Sequence, residues 1–311
     1  MSSTQTKPEP PAPAQSAPAD DPAASGNVAA TNNHCLVCDT NEAAPLYPGI
    51  LKCRNCEYVF ADMRLTDEEL FNLYNEEFFT GAEFSDYASD AKFFRKNFRL
   101  RFRELKKFLS PSRHKKLLEI GSAYGFFLDV VRDEFQSVQG IDITDAGVRF
   151  AREELQLDVV QADFLAHDYG AQKFDVVCMW DTIEHLREPQ RYVEKIAAHT
   201  APGALFALTT ADIDSLNAKL RKDKWRMIHP PTHLHYFSTK TIARLLDAHG
   251  FDVVYNRYCG FYRSIGNMAY NILVLRQQKP ALYRPLERLG VGGLGFYLNL
   301  YDIMYVIARR R

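Results

Sequence analysis

Four of the six cysteines in this 311-residue chain stand in two knuckles, CLVC (Cys35, Cys38) and CRNC (Cys53, Cys56). A CxxC turn presents two thiolates on one side, and two such turns complete the sulfur tetrahedron that zinc prefers. With four sulfur ligands the metal keeps no open position, so the Zn2+ expected here is structural rather than catalytic. Cys178 and Cys259 are isolated in apolar stretches. Paired knuckles without an export signal point to a reducing cytoplasm and a metal, not to disulfides. A second group of residues fit for chemistry lies in WRMIHPPTHLHYFS, Trp225–Ser238. His233 and His235 alternate there and would point the same way if extended, so either could move a proton. No carboxylate accompanies them in the segment, which argues against a metal. A third group is LLEIGSAYGFF, where Glu119 is followed by Gly121, Ser122 and Gly125.

These residues need elements to hold them. From Lys115 onward short apolar runs alternate with helical stretches, beginning with KLLEI and YGFFLDVVRDEF and continuing through VQGID, LDVVQAD, FDVVCMW and ALFALTT. Strands alternating with helices imply right-handed crossovers and a parallel sheet, with ligands at the carboxyl ends of its strands. LLEIGSAYG falls at such an end. Before this region, DAKFFRKNFRLRFRELKKFLS places Phe94, Phe98, Phe102, Leu105 and Leu109 at helical spacing. Its other face is basic (Arg95, Lys96, Arg99, Arg103, Lys106), which is usually a solvated face and less often an RNA-binding one. Thr66 with Glu69 three residues on forms a capping box for a shorter helix. Residues 1–33 are rich in Pro, Ala and Ser and are expected to be a disordered tail. The expected organisation is therefore a tail (1–33), a zinc ribbon (34–62) with short strands near Tyr47–Leu51 and Tyr58–Phe60, a helical connector (63–111) and an α/β domain (112–311).

The glycine loop narrows the ligand. A dinucleotide loop would read GxGxxG, and a phosphate loop would carry GKS or GKT; neither occurs. An acid ahead of the loop suits a cation or an ammonium group instead. The pattern Glu119-x-Gly121-x-x-x-Gly125 after a first strand resembles motif I of the Rossmann-like S-adenosylmethionine-dependent methyltransferases. The likeness continues through Gly140-Ile141-Asp142, Ala162-Asp163-Phe164, Phe174–Pro189 and LTTADI, covering roughly Leu117 to Val254. It implies a doubly wound, mostly parallel sheet of seven strands with an antiparallel last strand. It also implies S-adenosylmethionine as cofactor, with Gly121, Ser122 and Gly125 around the methionine part and Glu119 near its ammonium. Asp142 would take the ribose hydroxyls with Ile143 following it, Asp163 the adenine amine with Phe164 beside the ring, and Trp180 would border cofactor and acceptor.

The loop Asp181-Thr182-Ile183-Glu184-His185-Leu186 departs from the D/N-P-P-Y/F of enzymes that methylate adenine or amide-like nitrogens. Its EHL is similar to the small-molecule branch, which includes ubiquinone-biosynthesis and sugar methyltransferases. His185 is then a candidate base, and the alternative is that Glu184 and His185 only brace the loop and cap the next helix. The H-x-x-x-H-x-H-[FY]-F-S pattern resembles zinc-ribbon-bearing relatives, and segments 212–237 and 260–300 would cover the acceptor. GFYRSIGNMAYNILVLRQQK carries a helical apolar stripe within an insertion between the last two strands, either a hydrophobic lid or a peripheral membrane contact; Arg276, Lys279, Arg284 and Arg288 keep the second option. YDIMYVIARR reads as the final strand. Formal net charge is −1, from 38 basic and 39 acidic residues, so nothing global favours nucleic acid. No apolar run is long enough to span a membrane. The expectation is a cytoplasmic methyltransferase acting on a small-molecule hydroxyl of a sugar, glycolipid or related metabolite, with oxygen favoured over carbon. The rival is an RNA methyltransferase that uses the ribbon and the basic helix.

Overall fold

The computed structural model describes residues 34–63, 66, 69, 90–288 and 293–311. The expected disordered tail and the helix expected after Thr66 lie outside the described residues. The capping box itself is present: the Thr66 amide donates to Glu69 Oε2 at 2.8 Å and the Glu69 amide to Thr66 Oγ1 at 3.1 Å.

Three short strands come first, β1 (Ala43–Tyr47), β2 (Ile50–Cys53) and β3 (Val59–Ala61), then helix α1 (Ala91–Lys106). The large sheet begins with β4 (Lys116–Ile120), α2 (Phe126–Val131), β5 (Ser137–Asp142), α3 (Asp145–Glu153), β6 (Val159–Gln161) and β7 (Phe174–Trp180). It continues through α4 (Pro189–Ala198), β8 (Thr200–Ala211), α5 (Leu216–Arg221), β9 (His235–Tyr236), α6 (Thr239–Ala248) and β10 (Phe251–Tyr258). The last part holds β11 (Phe261–Ser264), α7 (Ile265–Tyr270), α8 (Pro280–Arg288), β12 (Gly295–Leu298) and β13 (Ile303–Arg310).

As expected, seven strands form one sheet in the order β10-β13-β8-β7-β4-β5-β6. The pairs β4–β5, β4–β7, β5–β6 and β7–β8 are parallel, whereas β13 runs antiparallel to both β8 and β10. The central strands read as continuous apolar runs because both faces are covered: Val176–Trp180, Ala204–Leu208 and Ile303–Ala308 are buried throughout. Chain order reverses between β4 and β7, so the crevice at their carboxyl ends is the place a ligand would enter.

Helix α1 packs its aromatic stripe onto this sheet. Phe102 and Leu105 are buried, and the Phe98 ring meets Phe127 edge-on at 5.6 Å. Each fully buried ring of this size stabilises by about 1.5–3 kcal/mol. The basic face is largely engaged within the chain. Arg95 pairs with Asp129 at 2.7 Å, Lys106 with Glu134 at 2.8 Å, and the Lys96 ammonium sits 3.5 Å from the Tyr262 ring centre.

The small strands form a second sheet in the order β1-β2-β3-β9. Its last strand comes from the histidine segment: Val59 pairs with Tyr236 and Phe60 with His235. The Ala61 amide also donates to Leu234 O at 2.9 Å. Between β10 and β13, β11 and β12 pair with each other, and the Tyr262 backbone is held by both side-chain atoms of Asn97 on α1. No helix among the described residues is long and apolar enough to cross a membrane.

Candidate active site

The end of β4 builds the first half of the site. Gly121 and Gly125 both have φ of +73°, a conformation that L side chains rarely adopt. A Cβ on Gly121 would also lie 2.7 Å from Thr182 Oγ1, so a bare backbone lets the β4 turn pass close to the β7 loop. Glu119 is buried, and its Oε2 has no hydrogen-bond partner. Burial, together with the nearby negative charge of Asp142, pushes its carboxyl well above the usual range. Burial also raises Asp142, although hydrogen bonds pull the other way. Its Oδ2 accepts from the Ala123 amide at 2.7 Å, and its Oδ1 accepts from the Thr144 amide at 2.9 Å and Oγ1 at 2.6 Å. A carboxylate offers about four lone-pair sites, so capacity remains for a further donor. Two buried carboxyls at one strand edge suit a hydrogen-bond donor or a cation rather than a phosphate.

Around this edge the expected residues differ in what they present. Ile143 is half-buried beside Asp142, whereas Ser122 is buried with an unbonded Oγ. Asp163 is exposed; its Oδ1 accepts from the Ala166 amide and its Oδ2 from the Tyr192 hydroxyl at 3.0 Å. Phe164 is buried, and its ring stacks on Tyr192 at 5.4 Å. Trp180 is buried at the end of β7 with its Nε1 unbonded. The Arg101 guanidinium lies 5.5 Å from the Trp180 ring and pairs with Asp181 at 2.7 Å. Sequence reasoning missed Arg101 because it lies near the middle of an ordinary basic helix.

The loop after β7 and the histidine segment meet at the other half. His185 Nδ1–H donates to Thr232 O at 2.8 Å, and His233 Nδ1–H donates to Met227 O at 2.9 Å. The His185 and His233 ring centres are 4.6 Å apart, and those of His229 and His233 are 3.9 Å apart. Burial lowers all three imidazoles, His185 to about 4 and His233 to about 2, so the rings are neutral. Glu184 is 2% exposed and is raised to about 8 by burial and then by Asp181. The expectation that no carboxylate accompanies the histidines is corrected here: one ligand atom each of Glu184, His185 and His233 lie within 4.8 Å of one another. The 47 positions that separate Thr232 from His185 conceal this in the sequence.

His235 stands apart from that group. Its Nε2–H donates to Leu186 O at 2.7 Å, so its Nδ1 accepts the Tyr58 hydroxyl proton at 2.5 Å. Both ring nitrogens are occupied by protein partners, and the ring is buried.

The four knuckle thiols converge as expected. Cys35 and Cys56 Sγ are 3.4 Å apart, Cys38 and Cys53 Sγ 3.6 Å, and no disulfide joins them. A tetrahedron with Zn–S bonds of about 2.3 Å needs sulfurs about 3.8 Å apart, so the quartet fits the ion closely.

The sheet and its switch point define a Rossmann-like α/β protein. Residues 93–256, more than half of the chain, match the family model described as "Methyltransferase domain", and the chain belongs to that family. It is similar to the ubiquinone biosynthesis O-methyltransferase of Coxiella burnetii (strain Dugway), with 24% identity over 156 residues, 44% of this chain and 66% of that protein. The mitochondrial ubiquinone biosynthesis O-methyltransferase of Arabidopsis thaliana is 28% identical over 109 residues, 32% of this chain and 33% of that one. The chain thus spans less than two thirds of the length of these curated relatives. Among solved structures, magnesium protoporphyrin IX methyltransferase from Synechocystis with bound SAH aligns at TM-score 0.46 and 14% identity, covering 69% of this chain and 83% of that one.

Proposed function

We propose that the protein transfers a methyl group from S-adenosylmethionine to a hydroxyl of a small molecule, a sugar, glycolipid or related metabolite. The observation that carries this reading is the end of β4 and β5, where the buried carboxyls of Glu119 and Asp142 stand beside a glycine turn whose bare backbone permits close approach. Glu119 would face the cofactor's ammonium and Asp142 its ribose hydroxyls. Trp180, Asp181 and Arg101 would border the acceptor.

Methyl transfer from a sulfonium is an in-line displacement, and much of its catalysis is positioning. The acceptor O–H gives its proton to an imidazole of the group formed by His185, His229 and His233. Its oxygen bonds to the methyl carbon, the carbon–sulfur bond breaks, and neutral S-adenosylhomocysteine leaves. Neutral imidazoles are the protonation state such a base requires. His235 positions the segment rather than touching substrate. The Cys35–Cys38–Cys53–Cys56 quartet would hold a structural Zn2+ that fixes the small sheet, and through β9 the histidine segment. Intramolecular pairing of the basic α1 face weighs against RNA as acceptor.

The test uses methyl-labelled S-adenosylmethionine, the purified protein and fractionated host extract, with Asp142→Ala as control. Label in the small-molecule or glycolipid fraction, lost in the variant, is the expected result. Label in RNA overturns the acceptor assignment.

A further inference from the structure

The segment HPPTHLHYFS holds three histidines, and the fold gives each a different standing. His235 has protein partners on both ring nitrogens. His233 is buried, with its Nδ1–H on Met227 O at 2.9 Å. His229 is only half-buried and keeps an edge toward solvent. Its proton is placed by Thr232. The Thr232 hydroxyl donates to His229 O at 3.1 Å, so the same oxygen, 2.6 Å from His229 Nδ1, accepts from that nitrogen. Nδ1 therefore carries the hydrogen and Nε2 the lone pair, and among the described residues none hydrogen-bonds Nε2. The Thr232 carbonyl also accepts the Nδ1–H of His185 at 2.8 Å, so one residue orients rings from two segments. The His229 ring lies 3.9 Å from that of His233, which lies 4.6 Å from His185 on the loop after β7. The row thus joins His229 to the loop at the carboxyl end of the sheet. Burial, and less strongly the Arg226 guanidinium, lower the basicity of His229 against a hydrogen bond to its own backbone, so the ring is neutral.

We infer that His229 Nε2 is the general base that takes the acceptor's proton, with Thr232 as the positioning residue that sets its tautomer. The assignment rests on the proposed methyl transfer and names the base within that site. The proton of the acceptor hydroxyl bonds to Nε2 while the O–H electron pair stays on oxygen. An oxygen lone pair forms the bond to the methyl carbon, and the carbon–sulfur pair passes to sulfur. One positive charge thereby moves from the sulfonium to the imidazolium, and the net charge of the site is unchanged. The imidazolium then loses its proton to water at the exposed edge of the ring, a release that Arg226 favours by repulsion. Burial denies His233 the same exit.

The test begins with label transfer from methyl-labelled S-adenosylmethionine to the extract fraction that the wild type methylates. His229→Gln, which keeps most of the bulk, and His229→Gly should each lower the rate at least about 100-fold with S-adenosylmethionine affinity unchanged by calorimetry. Added imidazole should restore part of the rate to His229→Gly and none to the wild type, which a packing role would not produce. Thr232→Ser should keep the rate and Thr232→Val lose most of it. A wild-type rate in His229→Gln, or a folded His229→Gly that imidazole does not rescue, overturns the assignment. Should His229→Gly fail to fold, His229→Gln and the ring's own spectrum decide. Long-range proton–nitrogen correlation on protein labelled with 15N-histidine reads that spectrum without any acceptor, the signal missing from His229→Gln giving its identity. Nδ1–H is expected, and a proton on Nε2 overturns the base. Absent cofactor binding overturns the methyl-transfer reading and the role with it, whereas the tautomer is read independently of both.

Discussion

Replacing Tyr58 with phenylalanine isolates the link between the small sheet and the histidine segment. Tyr58 is fully buried, its ring stacks on His235 at 5.9 Å, and its hydroxyl donates to His235 Nδ1 at 2.5 Å. The variant keeps the ring contacts and removes one oxygen, so little cavity forms. What remains is a buried imidazole nitrogen without a donor, a loss of about 1–3 kcal/mol. At about 2 °C per kcal/mol for a chain of this size, the melting temperature should fall by about 2–6 °C. Differential scanning calorimetry measures this, and a cycle with His235→Ala apportions it. His235→Ala orphans the Tyr58 hydroxyl in turn, so the double variant should cost about 1–3 kcal/mol less than the sum of the single ones. S-adenosylmethionine affinity should be unchanged, because Glu119 and Asp142 lie on β4 and β5. Additivity within about 0.5 kcal/mol would refute the hydrogen bond as the coupling element.

Asp142→Ala removes a charged acceptor expected to meet two hydroxyls, and S-adenosylmethionine affinity should fall about 10- to 100-fold by titration calorimetry, corresponding to about 1.5–3 kcal/mol. Gly121→Ala forces a side chain into the left-handed region at a cost of about 1–2 kcal/mol and against Thr182; adding Thr182→Ala should recover the steric share, and equal melting points for the single and double variants would count against the contact. Cys53→Ser should lower the zinc content and accelerate hydrogen exchange at β3 and β9 while leaving β4 and β5 protected; uniform exchange across both sheets would contradict the assigned boundary of the effect.

The large sheet was legible because its central strands are apolar on both faces and are punctuated by strongly patterned helices. Even the inserted last strand could be read, since YDIMYVIARR is long and apolar enough to need two covered faces. The cysteine quartet was equally open to reading, because its ligand spacing is local. What escaped was set by tertiary contact. His235–Tyr236 is a strand of only two residues, and nothing in HLHYFS foretells that its partner is Val59–Phe60. Glu184 looked like a loop brace because its histidine neighbours on one side arrive from a segment more than forty residues away.

The pairing of β3 with β9 also sets an order of events during synthesis. Val59 to Ala61 emerges from the ribosome well ahead of its partner, and 177 positions separate Tyr58 from His235. At about 5–20 residues per second, the interval is roughly 10–35 s. Throughout it the apolar edge of β3 is an unprotected template for pairing with other chains. All four thiols are already available, since Cys35 to Cys56 fall within one short segment. Metal capture can therefore fix the three early strands before their sheet is complete, and the nascent chain would then wait with a preformed edge for the one segment that fits it.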